Sequence, residues 1–327
     1  MADLLSTDIR PLLSCPDALI ADAADGLRNP AWDDAPCRIL IARLSPFEDV
    51  DRSTPHLVLF SECRAALPRA FIDFAFFPNR QDRELLSARG LPWLYGLASG
   101  RSPAAFDLVM VSLSFSLELV NLPYLLSTAA LGGTASARAA ARSSGSPSPI
   151  VILGGSSAAT AGAVLVDEGD ALVDGIFFGE GECVALAKGA ALATGAIGAL
   201  AAILADASES VEARLRRACD VEGFWVPGSG VAPARRVTRP FPPPRPDYPV
   251  LNSAEASTAR LQISAGCPGL CSFCLEGWDR RPYREVPLDE VLRGARELRA
   301  RSGADTLEVY SFNFNTHAEV FALLFEL

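Results

Sequence analysis

Short apolar runs rich in Val, Ile, Leu and Phe recur along the chain, separated by longer mixed stretches. Arg38–Leu44 (RILIARL), Ala70–Phe77 (AFIDFAFF), Asp107–Phe115 (DLVMVSLSF), Ile150–Leu153 (IVIL) and Val173–Phe178 (VDGIFF) each have the length and composition of a buried strand. After the first run, Ser53-Thr54-Pro55 reads as an N-cap followed by proline at the first helical position. The helix it opens runs through HLVLFSECRAAL and stops at Pro68. Strands that alternate with helices predict a parallel α/β sheet over residues 37–226. Residues 1–36 lack clear periodicity and are expected to be a helical or irregular lead-in.

Two segments interrupt this rhythm. Gly132–Pro149 (GGTASARAAARSSGSPSP) is polar and of low complexity, and predicts a flexible surface connection. Pro227–Pro249 holds 8 of the 24 prolines. Proline-rich chain is extended and semi-rigid, so residues 227–250 are taken as an interdomain linker. Beyond it, in residues 251–327, Arg260–Ala265 (RLQISA) predicts a strand. Leu288–Arg301 predicts a helix from Leu288, Val291, Leu292, Ala295 and Leu298 at helical spacing, and Leu307–Phe312 a second strand. No repeat at a solenoid period is visible.

Composition narrows the function classes. With 327 residues and 50% hydrophobic content, the chain can build two real cores and is not disordered. Its 39 acidic residues outnumber 29 basic ones, so nucleic acid is not an expected partner. Only two histidines, His56 and His317, are present, which excludes a multi-histidine metal site. The start Met1-Ala2-Asp3-Leu4 lacks the pattern of a secretory signal. Gly189–Ala205 is uncharged but mostly Ala and Gly, and is read as a packed surface helix rather than a membrane span. A soluble, cytoplasmic protein is expected.

Of eight cysteines, Cys15, Cys37, Cys63, Cys183 and Cys219 are scattered. The other three form Cys267-Pro268-Gly269-Leu270-Cys271-Ser272-Phe273-Cys274, a C-x3-C-x2-C run directly after a predicted strand. Three thiolates this close can hold one iron–sulfur cluster or one zinc ion. A zinc site would need completion by Cys219 or His317, and zinc modules usually bring two C-x2-C pairs, of which no second exists here. A four-iron cluster on three cysteines instead leaves one iron open to a small chelating molecule.

This motif, with an aromatic residue before its last cysteine, resembles the signature of the radical S-adenosylmethionine (radical SAM) superfamily. The resemblance extends upstream, to Phe106–Val109, Ser112-Leu113-Ser114, Glu118 and Asn121, Ile152–Gly155, and Val173–Gly175 through Gly179–Glu182. It also extends downstream, to Arg281–Arg284. These regions are similar to radical SAM proteins that carry a cobalamin-binding domain. The resemblance implies an α/β fold: a Rossmann-like parallel-sheet domain followed by the start of a radical SAM (β/α) partial barrel. It implies a [4Fe–4S] cluster on Cys267, Cys271 and Cys274, S-adenosylmethionine on the open iron, and cobalamin on the sheet domain. It further implies reductive cleavage to a 5′-deoxyadenosyl radical, methyl transfer to a small-molecule or other substrate, and an electron donor such as flavodoxin or ferredoxin. A vestigial cobalamin domain with hydrogen abstraction or sulfur insertion, and a non-catalytic iron–sulfur or zinc module, are the alternatives.

In open α/β sheets ligands sit beyond the carboxyl ends of the strands. Ser112, Ser114, Gly154, Gly155, Gly179, Glu180 and Gly181 fall there and are the candidate cofactor-binding residues, although the glycine turns could equally be tight strand-to-helix turns. Phe273 could pack beside the cluster or an adenine, or simply pack. Asn313 ends the last predicted strand, where related enzymes bind the methionine amine, or it serves only the backbone. His317 is expected on the surface. Many cobalamin domains carry D-x-H-x-x-G; here Asp51 and His56 are five apart without that glycine, so His56 is expected to cap or face solvent. From Cys267 onward 61 residues remain, against about 250 for a full barrel. A second chain completing the barrel, or a longer product, is therefore expected.

Overall fold

The computed structural model describes residues 9–14, 26–51, 53–167, 169–182, 195–233, 235–238, 249, 251, 258–302 and 304–327. The chain forms two compact units, one from Met1–Glu182 and Thr194–Arg236, the other containing Val237–Leu327. The proline run at 239–248 lies outside the described residues, as do Cys15 and Cys183.

In the first unit, β1 (Arg38–Arg43) leads through α1 (Pro55–Ala66) to β2 (Phe71–Phe76), and α2 (Arg80–Ala88) follows. Next come β3 (Leu108–Ser112), a 3-10 turn at Ser116–Asn121, α3 (Leu122–Thr128), α4 (Ala135–Ser143) and β4 (Ile150–Gly154). A small hairpin of β5 (Leu165–Asp167) and β6 (Asp170–Ala171) precedes β7 (Gly175–Phe177), α5 (Ala196–Leu204), α6 (Val211–Ala218) and β8 (Phe224–Trp225). The sheet order is β2-β1-β3-β4-β7-β8. All neighbours are parallel except the added β8, which runs antiparallel to β7.

Parallel strands are covered on both faces, which is why they read as unbroken apolar runs. On one face Leu40, Ala42, Leu44, Val109, Val111, Val151 and Leu153 pack with Leu122, Leu125 and Leu126 of α3. On the other, Cys63 of α1 meets Met110 at 3.5 Å between sulfurs. Register sets Arg43 beside Ser112, and Ser112 beside Gly154, so three strands end level at their carboxyl ends.

In the second unit, β9 (Thr258–Gln262) and β10 (Ser264–Ala265) lead into the cysteine loop and α7 (Leu275–Asp279). β11 (Arg284–Glu285), α8 (Leu288–Ser302), β12 (Thr306–Tyr310) and α9 (Val320–Glu326) complete it. β9 pairs in parallel with β12, and β10 pairs antiparallel with β11. Leu261, Ile263, Val286, Val291 and Leu323 form its core, with Leu288, Ala295, Leu298 and Leu307 packed against them. This is mixed α/β with a mainly parallel central sheet, and no closed barrel exists among the described residues.

Three expectations are corrected. The segment read as flexible contains α4, whose N-cap Thr134 accepts from the Ala137 amide at 3.2 Å. The helix is held by two arginines that grip one buried carboxylate: Arg138 Nε lies 2.8 Å and Arg142 3.2 Å from Asp174, which also accepts from the Val151 amide. His56 is buried in the first turn of α1, its ring edge-on to Phe74 and Phe76. His317 is also buried. Of the apolar stretch Gly189–Ala205, residues 189–194 lie outside the described residues and the rest contains α5. Among the described residues no helix is long and apolar enough to cross a membrane.

Removing one partner of a buried ion pair leaves the other charge uncompensated, at about 3–5 kcal/mol. Asp174→Ala should therefore lower the unfolding free energy by roughly 3 kcal/mol or more in urea titration. Amide exchange should speed most in α4. Exchange unchanged in α4 would show that the arginines do not hold that helix.

Candidate functional site

The cysteine loop begins where the paired strands end. Ile263 is buried and donates its amide to the Tyr310 carbonyl at 3.0 Å, fixing the exit from β9. Gly266 follows at φ +77°, where a Cβ would overlap the Arg280 carbonyl, so only glycine turns the chain into the loop. Inside the loop the Cys274 amide donates to the Cys271 carbonyl at 3.0 Å, and Trp278 Nε1 donates to the same carbonyl at 2.9 Å. The Gly269 amide points at the Cys267 sulfur, 3.4 Å away.

Gly269 and Gly277 lie against the thiols. A Cβ at Gly269 would stand 3.5 Å from Cys267 Sγ and 3.6 Å from Cys271 Sγ, and one at Gly277 3.9 Å from Cys274 Sγ. Cys271 is exposed, and Cys267 and Cys274 are half-buried. Among the described residues no three His, Cys, Asp or Glu side chains close on a single-ion position. His317, a candidate fourth zinc ligand, has both ring nitrogens engaged: Nε2 lies 3.1 Å from the Val286 carbonyl, and Nδ1 accepts the Glu319 amide at 3.1 Å. Three thiols with no fourth donor among the described residues of this unit fit a cluster that leaves one metal open better than they fit structural zinc.

Polar groups gather at the carboxyl ends of the two long strands. Ser264 and Ser311 share a hydroxyl hydrogen bond of 2.7 Å, and the Asn313 amide donates to Ser311 Oγ at 3.2 Å. Tyr283 donates to Glu285 at 2.8 Å and receives Thr316 Oγ1 at 3.3 Å. Burial pushes the Tyr283 hydroxyl above its ordinary range, and the Glu285 charge adds to the rise. Phe273 is 89% exposed, and Leu270, Leu275 and Trp278 around it are exposed as well. Phe273 thus packs into no core of this unit.

In the first unit the candidate residues lie at the carboxyl edge as expected, yet several glycines there answer to the chain's own packing. A Cβ on Gly155, at φ +119°, would overlap the Leu113 carbonyl; one on Gly179, at φ +101°, would overlap that of Arg236. Gly181 is closed off by Ile197. Glu180 pairs with Arg235 at 3.2 Å. Gly154 differs: its Cβ would meet Phe177 at ordinary contact distances of 3.4 and 3.5 Å.

Ser114 is tied down on both sides. Its amide donates to Glu118 Oε2 at 2.7 Å, and its carbonyl accepts Ser156 and Ser157 hydroxyls at 3.0 and 2.7 Å. The reading of the sequence missed Glu118's partner, Arg43. An arginine ending the apolar run RILIARL was the available signal.

A parallel sheet with its polar groups at the strand ends, joined in one chain to a three-cysteine loop after a parallel strand, is the arrangement that the radical SAM resemblance implies. The family model described as "Radical SAM proteins, N-terminal" matches residues 59–227, more than half of the chain, and the chain belongs to that family. Among curated proteins, it is similar to the ribosomal protein uS12 methylthiotransferase RimO of Geotalea uraniireducens, 46% identical over 55 residues. That match covers 17% of this chain and 12% of the relative. The Myxococcus xanthus protein of the same name is 38% identical over 72 residues, covering 20% of this chain and 15% of that one. The matches therefore span a small part of these relatives' length. Among solved structures, the radical S-adenosylmethionine methyltransferase TsrM from Kitasatospora setae with cobalamin and [4Fe–4S] cluster bound aligns at TM-score 0.47 and 14% identity. It covers 88% of this chain and 52% of that one.

Thiol reactivity follows burial. Burial pushes the Cys37 thiol up to about 11 and raises Cys63 further. Both thiols therefore stay protonated at about pH 8, and the thiolate is the nucleophile. Alkylation of the apo chain followed by peptide mass spectrometry should label Cys267, Cys271, Cys274 and Cys219 and spare Cys37 and Cys63. Rapid labelling of Cys63 would contradict the core packing described above.

Proposed function

We propose that the chain is a radical SAM enzyme, or the N-terminal part of one, whose Cys267, Cys271 and Cys274 hold a [4Fe–4S] cluster. The observation that carries this reading is the three-thiol loop, bordered by Gly269 and Gly277 and set at the carboxyl end of β9 and β10. When bound, the cluster supplies an electron to the sulfonium of S-adenosylmethionine and so a 5′-deoxyadenosyl radical. The chain's part is to present three thiolates, leave the fourth position unfilled, and offer hydroxyl and amide groups from Ser264, Ser311 and Asn313 beside the methionine end. Phe273, exposed next to Cys274, supplies a face for the adenine.

Cobalamin on the first unit, serving methyl transfer, is the second element of the proposal. It is supported by Ser112, Ser114 and Gly154 at the carboxyl ends of adjoining strands, and by the ordinary clearance over Gly154. Cobalt would bind without a protein imidazole, because His56 is packed between aromatic rings. The substrate is a small molecule or another unidentified group. An electron donor such as flavodoxin or ferredoxin would feed the cluster. Because β12 pairs only with β9 among the described residues, a further chain completing the barrel would cover its open edge.

Anaerobic reconstitution of the full chain should give about four irons and four sulfides per chain and a visible charge-transfer band. Changing Cys267, Cys271 or Cys274 singly to Ala should abolish that band, while Cys219→Ala keeps it. Stoichiometric zinc with no iron uptake would overturn the cluster reading. Titration with hydroxocobalamin should shift the corrinoid spectrum, and His56→Phe should leave the bound spectrum unchanged; a change in cobalt ligation on that substitution would show that His56 ligates.

A further inference from the structure

Ser264 of β10 stands opposite Glu285 of β11 in their antiparallel pair, so the two side chains share one face. Tyr283, two residues before Glu285, falls on that same face. Tyr283 donates to Glu285 Oε1 at 2.8 Å, and that oxygen also accepts the Ala318 amide at 3.0 Å. Ser264 meets Ser311 hydroxyl to hydroxyl at 2.7 Å, and the Ser311 oxygen accepts the Asn313 amide at 3.2 Å. A carboxylate thus stands at one end of this chain of groups and a backbone N–H at the other.

Those two ends fix every proton between them. Each hydroxyl has one proton to give, a carboxylate only accepts, and a backbone amide only donates. Tyr283 spends its proton on Glu285, so its oxygen is left to accept. Burial and the Glu285 carboxylate hold that proton on the phenol, while the Thr316 and Ser264 hydroxyls pull the other way, as donors to its oxygen do. With the Ser264 proton given to Tyr283, the 2.7 Å contact takes its proton from Ser311. Ser311 then keeps acceptor capacity alone: one lone pair takes the Asn313 amide and the other is left over. Ser264 is 1% exposed, but Ser311 and Asn313 are half-buried among the exposed Tyr310, Phe312 and Asn315. The chain of hydroxyls therefore meets solvent at its Ser311 end.

We propose that Tyr283 and Glu285 are positioning residues which, acting through Ser264, hold Ser311 as a pure acceptor, so that this strand end seats an amino group and disfavours a carboxylate. A hydroxyl whose proton is turned inward receives an ammonium N–H well, but meets a carboxylate oxygen lone pair against lone pair. The inference rests on the cluster reading, under which the group at these strand ends is the methionine amino group of S-adenosylmethionine. Tyr283 and Glu285 then decide which end of the amino acid Ser311 takes, by fixing the direction of a hydroxyl rather than by touching the ligand.

The test titrates S-adenosylmethionine, its decarboxylated form and its deaminated form into the oxidised, iron-loaded full chain by calorimetry. Tyr283→Phe leaves Ser264 without its acceptor and frees the Ser311 proton to turn outward. Affinity for the two ligands that keep the amino group should fall about tenfold, the scale of a hydrogen bond to a charged group, while the deaminated ligand binds as to wild type or more tightly. Ser264→Ala should give the same pattern, and it decides alone where Tyr283→Phe loads no iron. In a Ser311→Ala background, Tyr283→Phe should cost nothing further, because both act on one hydroxyl. Unchanged binding, equal losses for all three ligands, or additive losses in the double variant would make Tyr283 a packing residue and overturn the proposal. Iron content and the visible band, read before each titration, test the cluster reading separately. A wild-type chain that takes up no iron overturns that reading and this one with it, whereas a loaded chain with uniform losses overturns only the positioning role.

Discussion

Everything in the first unit depends on burying both faces of one parallel sheet. Such a sheet leaves no solvated face on which a strand can place working side chains, so polar chemistry is pushed to the strand ends. Register then decides what meets there. Because β1, β3 and β4 end level, an arginine, a serine and a glycine form a row, and Glu118 folds the β3 loop back onto it. The second unit repeats the rule with two strands, and its three thiols again lie where a parallel pair stops.

The strands were legible because unbroken Val, Ile and Leu runs bounded by turns have few other uses in a chain of this composition. The cysteine loop was legible for a related reason, since its chemistry is local and its spacing is written in eight consecutive residues. What stayed hidden was non-local. Ala135–Ser143 looks like linker because its serines and alanines carry no apolar stripe; the helix is held by arginines reaching an aspartate more than thirty residues later. His317 looks like a loop residue until the Val286 and Glu319 backbones supply its partners.

The glycines give a more instructive divergence. Small residues at strand ends suggest a bound ligand, but the same absence of a side chain also lets two pieces of backbone touch. At Gly155 and Gly179 the neighbouring carbonyls of Leu113 and Arg236 already occupy the space. Gly154 keeps ordinary clearance, which is why it, rather than the turn glycines, belongs with the candidate site. Sequence alone cannot separate these cases, because both demand the same residue type.

One further feature bears on how this architecture can vary. The Gly181 carbonyl accepts the Ile197 amide at 3.1 Å, and Glu62 of α1 receives the Gly195 amide at 2.6 Å at the head of α5. Gly181 and Gly195 are thus each fastened within the unit, on either side of residues 183–194 in the sequence, by bonds between described residues. Closing a loop costs only about 0.6 kcal/mol more for each doubling of its length. A change of chain length between Glu182 and Gly195 therefore costs little, while sheet register and strand ends stay held by their own bonds.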